Sequence, residues 1–375
     1  VIGGGVVHVV TGLEIGGAEM LLFELCREEA RHGRQSRVAS LISDGPMRAR
    51  FAQIGIDVLG LGLRRGEFFA PGLAGLVRLV RRERPQIVQG WLYHGNLAAT
   101  AAAWLSGVFP RPRLGWGILG AIPDFACYPR RLRRVVNLGA RLSPCVDGIF
   151  YNSRVALDAH RRYGFRARLA QFVPNGIDLE RFRFDPAVRA ATRLALGLPE
   201  DAVVVIAVGR NDPMKNWPGM LAVTEAARNP QVWLVAVGEG AERLPPGPRR
   251  RLLGRRDDMP ALYAAADIFM LASHFGEGTS VALSEAMACG LPVVVTEVGD
   301  NGGIVAGAGL VVPPHEHAAL AQALRALAGD RDLRAHLGRA AQARAKGFGA
   351  DGLHAGFHRF FEELQGAGRA EPHTV

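Results

Sequence analysis

The sequence predicts an α/β protein built from two Rossmann-like domains, and three observations predict it. Short β-branched runs alternate with helix-like segments from one end of the 375-residue chain to the other. Glycine-rich turns follow several of those runs where a helix opens. A chain of this length suits two cores better than one, and 49% hydrophobic against 21% charged residues supplies the apolar content for both.

The first strand is Val6–Val10, and a helix opens near Gly17. Further strands are expected over 37–42, 57–60, 86–89, 114–117 and 148–151. A second series then restarts over 203–208, 232–237, 268–271, 293–296 and 309–312, with the run 265–273 reading as a buried strand that ends at a loop. The stretch 174–199, rich in proline, charge and turn residues, is where the two domains join. The expected domains are therefore 1–172 and 173–352. A final helix over 353–375 carries Leu353, Phe357, Phe360, Phe361 and Leu364 at helical spacing.

Charge is distributed unevenly. Residues 1–172 hold 24 arginines, no lysine and 12 acids, a net +12, while the remainder holds 21 basic and 23 acidic residues, a net −2. Clusters at Arg64-Arg65, Arg78 to Arg84 and Arg130 to Arg134 point to an anionic partner such as acidic lipid headgroups or a phosphorylated acceptor. Genome composition offers a second account of the arginine count, since lysine occurs only at 215 and 346, but not of the asymmetry. Nucleic acid is not expected, because no aromatic-interleaved or helix-turn-helix signature accompanies the charge. The four cysteines lack metal-ligand or disulfide-framework spacing, and no apolar run approaches the roughly 18 residues of a spanning helix. The first residues show no charged leader followed by an apolar stretch. The expectation is a cytoplasmic chain, in peripheral contact with the inner face of the membrane through its basic half.

The most informative motif is Phe275-Gly276-Glu277-Gly278-Thr279-Ser280 followed by Val-Ala-Leu-Ser-Glu285-Ala-Met-Ala-Cys-Gly290-Leu-Pro292. Thr279 or Ser280 can cap a helix that Gly290 closes and Pro292 forbids from continuing. That helix is about 2–3 turns long and rises about 7–8 Å from Ser280 to Glu285. Glu277 on the loop and Glu285 in the helix can therefore address opposite ends of one elongated polar ligand, with free N–H groups facing an anion. Near the start, Gly16-Gly17 opens a helix after the first strand, where backbone N–H groups can approach a phosphate. Val203–Val208 runs into Gly209-Arg210-Asn-Asp-Pro-Met-Lys215, two cations five residues apart that suit a diphosphate. His94 lies in Gln89-Gly-Trp-Leu-Tyr-His94-Gly-Asn96 at the end of another strand-like run, and Asn175 in Val173-Pro-Asn175-Gly-Ile-Asp178. Gly254 and Asp258 lie in Leu253-Gly-Arg-Arg-Asp-Asp258-Met-Pro260; Asp257-Asp258 is not an Asp-x-Asp metal motif, and neither a metal nor a cofactor is expected.

These motifs resemble, in order, those of the family 4 retaining glycosyltransferases of bacterial polysaccharide and cell-envelope type, which have the GT-B fold. The likeness covers both domains from Gly16 to about Gly303. It implies two Rossmann-like domains facing each other across a cleft, the first binding the acceptor and the second the nucleotide sugar, with the final helix crossing back to the first. It further implies that Gly16 and Gly17 lie against the donor diphosphate and sugar, that Arg210 and Lys215 clamp the departing diphosphate, and that Glu277 orients sugar hydroxyls while Glu285 holds the ribose. His94 belongs beside the reacting sugar, Asn175 in the interdomain turn, and Gly254 and Asp258 near the nucleobase. Many relatives have Gly-Phe-Pro after the first glutamate; here Gly278-Thr279-Ser280 stands instead, which puts the sugar preference in question.

The expected function is transfer of a sugar from a nucleotide-diphosphate donor, a UDP-sugar ahead of a GDP-sugar, to a hydroxyl of a glycan or lipid-linked acceptor, with retention of configuration. Two rivals share the fold: a nucleotide-sugar 2-epimerase and a non-catalytic sugar-nucleotide-binding protein.

Overall fold

The computed structural model describes residues 5–42, 45–63, 70–227 and 229–366. The chain divides into two compact units, Val1–Gly176 with Asp351–Val375, and Ile177–Ala350. The first runs β1 (Val6–Val10), α1 (Gly17–Arg31), β2 (Ser36–Ser40), α2 (Met47–Gln53), β3 (Val58–Gly60), α3 (Ala70–Glu83), β4 (Ile87–Trp91), α4 (Leu92–Leu105), β5 (Arg113–Ile118), α5 (Arg130–Leu142), β6 (Gly148–Tyr151), α6 (Arg154–Tyr163) and β7 (Leu169–Phe172). The second runs α7 (Pro186–Ala195), β8 (Val203–Val208), α8 (Trp217–Ala226), β9 (Val232–Val237), β10 (Arg250–Leu253), α9 (Met259–Ala265), β11 (Ile268–Leu271), α10 (Val281–Ala288), β12 (Val293–Thr296), α11 (Asn301–Val305), β13 (Leu310–Val312), α12 (His317–Gly329) and α13 (Arg331–Ala345). The last helix, α14, spans Ala350–Gly366.

Both sheets are parallel. The seven-stranded sheet has the order β3-β2-β1-β4-β5-β6-β7 and the six-stranded one β10-β9-β8-β11-β12-β13. Parallel strands covered by helices on both faces read as continuous apolar runs; β1 and β4 are buried at every position, as are β11 and β12. In each sheet the connections diverge at one place, between β1 and β4 and between β8 and β11. Crevices at strand carboxyl ends beside such a switch point are where ligands bind in open α/β sheets.

The unit boundaries fall at 176/177 and 350/351, against the expected 172/173 and 352/353. Val173 N bonds Tyr151 O at 2.9 Å and its side chain is buried in the first core, whereas Ile177 N bonds Phe348 O at 2.9 Å in the second. The stretch 174–199 is less of a linker than its composition suggests. It contains α7, whose Arg189 and Arg193 both grip Asp267, at 2.6 and 3.2 Å, inside the second unit. The run 265–273 is likewise divided: Ala265 closes α9, and only Ile268–Leu271 is strand. Two strands escape the sequence reading. Each is an edge strand with one neighbour and half-buried side chains, and β10 is Arg-Arg-Leu-Leu, so neither shows the apolar run of a central strand.

The closing helix belongs to the first unit. Leu353, Phe357, Phe360, Phe361 and Leu364 are buried in one core with Ile87, Trp91, Phe150 and Val173. Phe357 meets Phe150 edge-on with ring centroids 4.8 Å apart. Residues 367–375 of the expected helix lie outside the described residues, as does the Arg64-Arg65 cluster. Among the described residues no helix is long and apolar enough to cross a membrane. All four cysteines are free, Cys26 and Cys289 buried, Cys127 and Cys145 exposed. Truncating Phe360, which is fully buried, should destabilise the first unit by about 3–5 kcal/mol. In urea, Phe360→Ala is expected to lower the midpoint of that unit's unfolding; an unchanged midpoint would show that α14 contributes nothing to its core.

Candidate active site

In the second unit, the carboxyl ends of β8, β11 and β12 bring their loops together. Gly209 follows β8 directly, and a Cβ there would lie 3.1 Å from the Cγ, Cδ and Cε atoms of Lys215. The missing side chain lets the lysine stem lie across the strand end. Asp212 caps the 3-10 turn Pro213–Lys215 by accepting from Met214 N at 2.9 Å. Asn216 follows with φ +54°; its side chain accepts from Gly219 N at 3.1 Å to start α8 and donates to Ala272 O at 3.2 Å, tying the β8 loop to the end of β11.

That packing aims Lys215 at Glu277. Nζ lies 2.5 Å from Oε1, and the hydroxyl of Ser273 donates to the same oxygen at 2.5 Å. Glu277 is 5% exposed. A carboxylate so deeply placed requires a cation and hydrogen bonds to stay charged, and it has both. Its backbone is pinned from β12: Gly299, at φ +63°, passes so close that a Cβ would lie 2.4 Å from Glu277 O, and Asp300 N donates to Gly278 O at 3.2 Å. Ser280, rather than Thr279, caps α10, its Oγ accepting from Leu283 N at 3.4 Å. Arg210 differs from its partner cation: its side chain is exposed, while its carbonyl accepts from Trp217 Nε1 at 3.0 Å.

Glu285 occupies a different environment on α10. Tyr263 OH donates to its Oε2 at 2.9 Å. Burial pushes the carboxyl up to about 7, against the smaller opposing pulls of the Tyr263 hydroxyl and the charge of Arg181. Gly254 follows β10, and its carbonyl accepts from Gly238 N at 3.1 Å. Asp258 precedes α9 and takes a two-pronged contact from Arg256, at 2.8 and 2.6 Å, whose hydrogen bonding holds its pKa below the usual carboxylate value.

The remaining expected residues stand in the first unit. Gly16 is the extended N-cap of α1 and Gly17 its first residue, directly after β1, so the free N–H groups of a 15-residue helix open at the carboxyl edge of that sheet. His94 lies in the first turn of α4, where burial, and then the charge of Arg131, lower its pKa and favour the neutral ring. Asn175 is buried and accepts from Asn152 Nδ2 at 3.4 Å, while Asn152 Oδ1 takes Gly120 N at 3.3 Å. The structure thus joins Gly209, Lys215, Glu277, Gly278 and Ser280 directly, with Arg210 beside them in the chain. Gly16, Gly17, His94 and Asn175 belong to the other unit.

Sequence reading missed Ser273, Asn216 and Tyr263. Ser273 stands four residues before Glu277 on the strand exit and could have been suspected; Asn216 follows Lys215 directly. Tyr263 arrives from α9, and no spacing links it to Glu285. One further cluster invites a metal: the ligand atoms of His8, Cys26 and Glu29, all buried, lie within 4.8 Å of one another. Trp91 Nε1, a donor only, points at His8 Nδ1 at 3.2 Å, which assigns the proton of the neutral ring to Nε2, facing Glu29 Oε2 at 3.5 Å. Ser36 donates to that carboxylate oxygen as well. Protons therefore satisfy this group, and a metal on Nε2 would set Nδ1–H against the indole N–H.

The raised pKa of Glu285 gives a pH signature. A carboxyl whose folded value, about 7, exceeds its unfolded 4.5 costs stability as pH rises between those values, and the full cost persists above 7. Glu285→Gln keeps an acceptor for Tyr263 and removes the charge. At pH 8 it should stabilise the second unit by about 1–3 kcal/mol, partial exposure screening the rest, and at pH 4 it should change nothing. Thermal unfolding at the two pH values reads this; equal effects at both would refute the environment described.

Two family models divide the chain between them. Glycosyltransferase Family 4 matches residues 15–181, and Glycosyl transferases group 1 matches residues 188–344. Curated relatives include the D-inositol 3-phosphate glycosyltransferase of Saccharomonospora viridis, 36% identical over 54% of this chain and 52% of the relative, and that of Kineococcus radiotolerans, 33% identical over 51% and 52%. The chain spans about half the length of these relatives. Among solved structures, Anabaena HepE in complex with UDP-glucose superposes with a TM-score of 0.83 at 22% identity, covering 96% of this chain and 99% of that one. WaaG, a glycosyltransferase involved in lipopolysaccharide biosynthesis, does so with 0.74 at 17%, covering 96% and 100%. These likenesses identify the fold as GT-B. With both halves matched in order and each built as a Rossmann-like unit, the chain belongs to the family 4 glycosyltransferases.

Proposed function

We propose that this protein is a retaining glycosyltransferase that moves a sugar from a nucleotide-diphosphate donor, a UDP-sugar ahead of a GDP-sugar, to a hydroxyl of a glycan or lipid-linked acceptor. The observation that carries the reading is the buried Lys215–Glu277 pair at the carboxyl ends of β8 and β11. Breaking a sugar–phosphate bond leaves negative charge on the phosphate oxygen, and preorganised positive charge there is a large part of catalysis. An ammonium has three N–H donors. Glu277 takes one, fixing the side chain, and two remain for the diphosphate. The exposed guanidinium of Arg210 reaches the same anion with its planar fork.

Lys215 and Ser273 both address Oε1 of Glu277, so Oε2 is the oxygen we assign to donor-sugar hydroxyls. Gly278, Thr279 and Ser280 adjoin the sugar and diphosphate, and the N–H groups opening α10 face the anion. Glu285, steadied by Tyr263, accepts from the ribose hydroxyls. Gly254 and Asp258 flank the base. In the first unit, Gly16 and Gly17 offer the N–H groups of α1 to phosphate and sugar, neutral His94 gives a polar contact to sugar or acceptor, and Asn175 supports the chain's passage between units.

No side chain in this set is placed as a covalent nucleophile. The acceptor hydroxyl then attacks the anomeric carbon on the face the phosphate leaves: the carbon–oxygen bond to phosphate breaks, the new glycosidic bond forms, and the hydroxyl proton passes to the departing phosphate oxygen. Neither metal nor cofactor has a step in this scheme. The +12 charge of residues 1–172 favours an acceptor at an anionic surface, which on this reading is the inner face of the membrane, with the protein peripheral and cytoplasmic. The names of the curated relatives favour a second acceptor class, a phosphorylated small molecule.

Lys215→Ala should lower turnover of the correct donor by about 30- to 1000-fold, the loss of about 2–4 kcal/mol at the transition state. Undiminished turnover would remove the clamp. A panel of UDP- and GDP-sugars tested by thermal shift identifies the donor, since a ligand at 100 times its Kd stabilises by about 2.7 kcal/mol; a panel in which none shifts the transition would defeat the donor assignment.

A further inference from the structure

The first unit carries an amphipathic surface at the end opposite its functional loops. In a parallel sheet the strand amino ends and helix carboxyl ends share one edge, while Gly16, Gly17 and His94 lie at the other. Helices α3 and α4 finish side by side on the amino edge, where Arg81 Nε donates to Ser106 O at 2.9 Å. There Trp104, Leu105 and Phe109 are 41, 60 and 91% exposed. Arg78, Arg81, Arg82, Arg84 and Arg111 are exposed around them. From Arg78 to Arg113 the sequence has six arginines and a single acid, Glu83, which Arg82 and Arg37 already hold at 2.7 and 3.6 Å.

Arginines at helix carboxyl ends complement the macrodipole, which accounts for some of this charge but not for the apolar tip it surrounds. An aromatic and aliphatic tip ringed by guanidinium groups matches one partner chemistry, the interface of an anionic bilayer. There indole and phenyl rings sit at headgroup level, aliphatic groups reach the acyl boundary, and cations meet phosphate. A second copy of the chain fits poorly, because a two-fold contact would set the arginines against themselves.

We propose that this amino edge of the first unit docks on an anionic bilayer, with Trp104, Leu105 and Phe109 entering the interface. The inference takes from the reading above only that the chain is peripheral on the membrane, and locates that contact at the ends of α3 and α4, not on the Arg130 to Arg134 row of α5; with Gly16, Gly17 and His94 at the far edge, it anchors the chain and leaves those loops open to an acceptor that extends away from the bilayer. The full chain is sedimented with phosphatidylcholine vesicles with and without phosphatidylglycerol, comparing Leu105→Ser with Phe109→Ser as a double variant, Arg78→Ser with Arg82→Ser and Arg111→Ser as a triple, and Arg130→Ser with Arg133→Ser and Arg134→Ser as a second triple. The first two should lose about 10- to 100-fold in affinity for the anionic vesicles, and the α5 variant should bind like the native chain. Tryptophan emission should shift to the blue on binding, and Trp104→Phe should remove the shift, because Trp91, Trp116 and Trp217 are already buried and the half-buried Trp233 lies in the second unit with Arg251 over its ring. Loss in the α5 variant with native binding by the other two would overturn this placement while sparing the membrane reading. No native binding to anionic vesicles would overturn both, and neither result bears on donor turnover.

Discussion

The geometry at the carboxyl ends of β8 and β11 depends on one buried ion pair. Lys215 and Glu277 come from loops of different strands, and their 2.5 Å contact is what ties those loops' chemistry together. Leaving either partner alone in this site would strand a charge at a cost of about 3–5 kcal/mol, so neither side chain is free to wander. The pair is reached only because backbone fills the place of side chains at two points: Gly209 lets the lysine stem cross the strand end, and Gly299 lets the β12 loop lie against Glu277. On the proposed reading the site binds an anion beside a carboxylate and needs this arrangement, since an unneutralised glutamate would repel that anion.

The two glutamates of α10 and its preceding loop have been given opposite electrostatic settings by the fold. Glu277, beside an ammonium and a hydroxyl, has the partners that keep a buried carboxylate ionised. Glu285, faced by a phenol and only the longer-range charge of Arg181, is held near neutrality in its titration. Two carboxylates in such different surroundings are suited to different work, Glu277 held by an ammonium and a hydroxyl and Glu285 by a phenol. The cations divide similarly. Lys215 is fixed by its partner, and Arg210 is exposed and able to move with a ligand.

Much of this was legible in the sequence because it is written in local patterns. Buried parallel strands are largely apolar, so β1, β4, β8, β9, β11 and β12 stand out despite a buried His8, Gln89 or Thr296 within them, and the Ser280 cap, Gly290 and Pro292 bound α10 without reference to anything distant. The apolar period of Leu353 to Leu364 announced a packed helix, while its attachment to the first unit came only with the likeness to the family. What was not legible is set by contacts between segments far apart in the chain. Tyr263 and Glu285 are neighbours through the packing of α9 and α10, and Asp267 draws Arg189 and Arg193 into the second unit from a stretch whose composition suggested a linker. Edge strands β7 and β10 carry polar and charged residues because one side of each has no partner strand, and the pattern that identifies a central strand is absent from them.

The segment carrying His94 shows how a fold holds the chain against local preference. Leu92 adopts φ +60°, a left-handed conformation that costs a non-glycine residue about 1–2 kcal/mol. It is the first residue of α4, immediately after β4, so the chain turns from strand to helix with no intervening loop. Two features oppose its relaxation. Asn96 bridges to β5, donating to Gly117 O at 3.2 Å and accepting from Gly117 N at 3.3 Å. One turn on, Thr100 bonds back to Asn96 O at 2.9 Å and accepts from Trp116 Nε1 at 2.9 Å. With α4 anchored to β5 in this way, the abrupt turn at Leu92 fixes where Tyr93 and His94 emerge. Tyr93 is then taken up by His160 at 2.8 Å, and His94 is left at the carboxyl edge of the sheet, the edge on which α1 also opens.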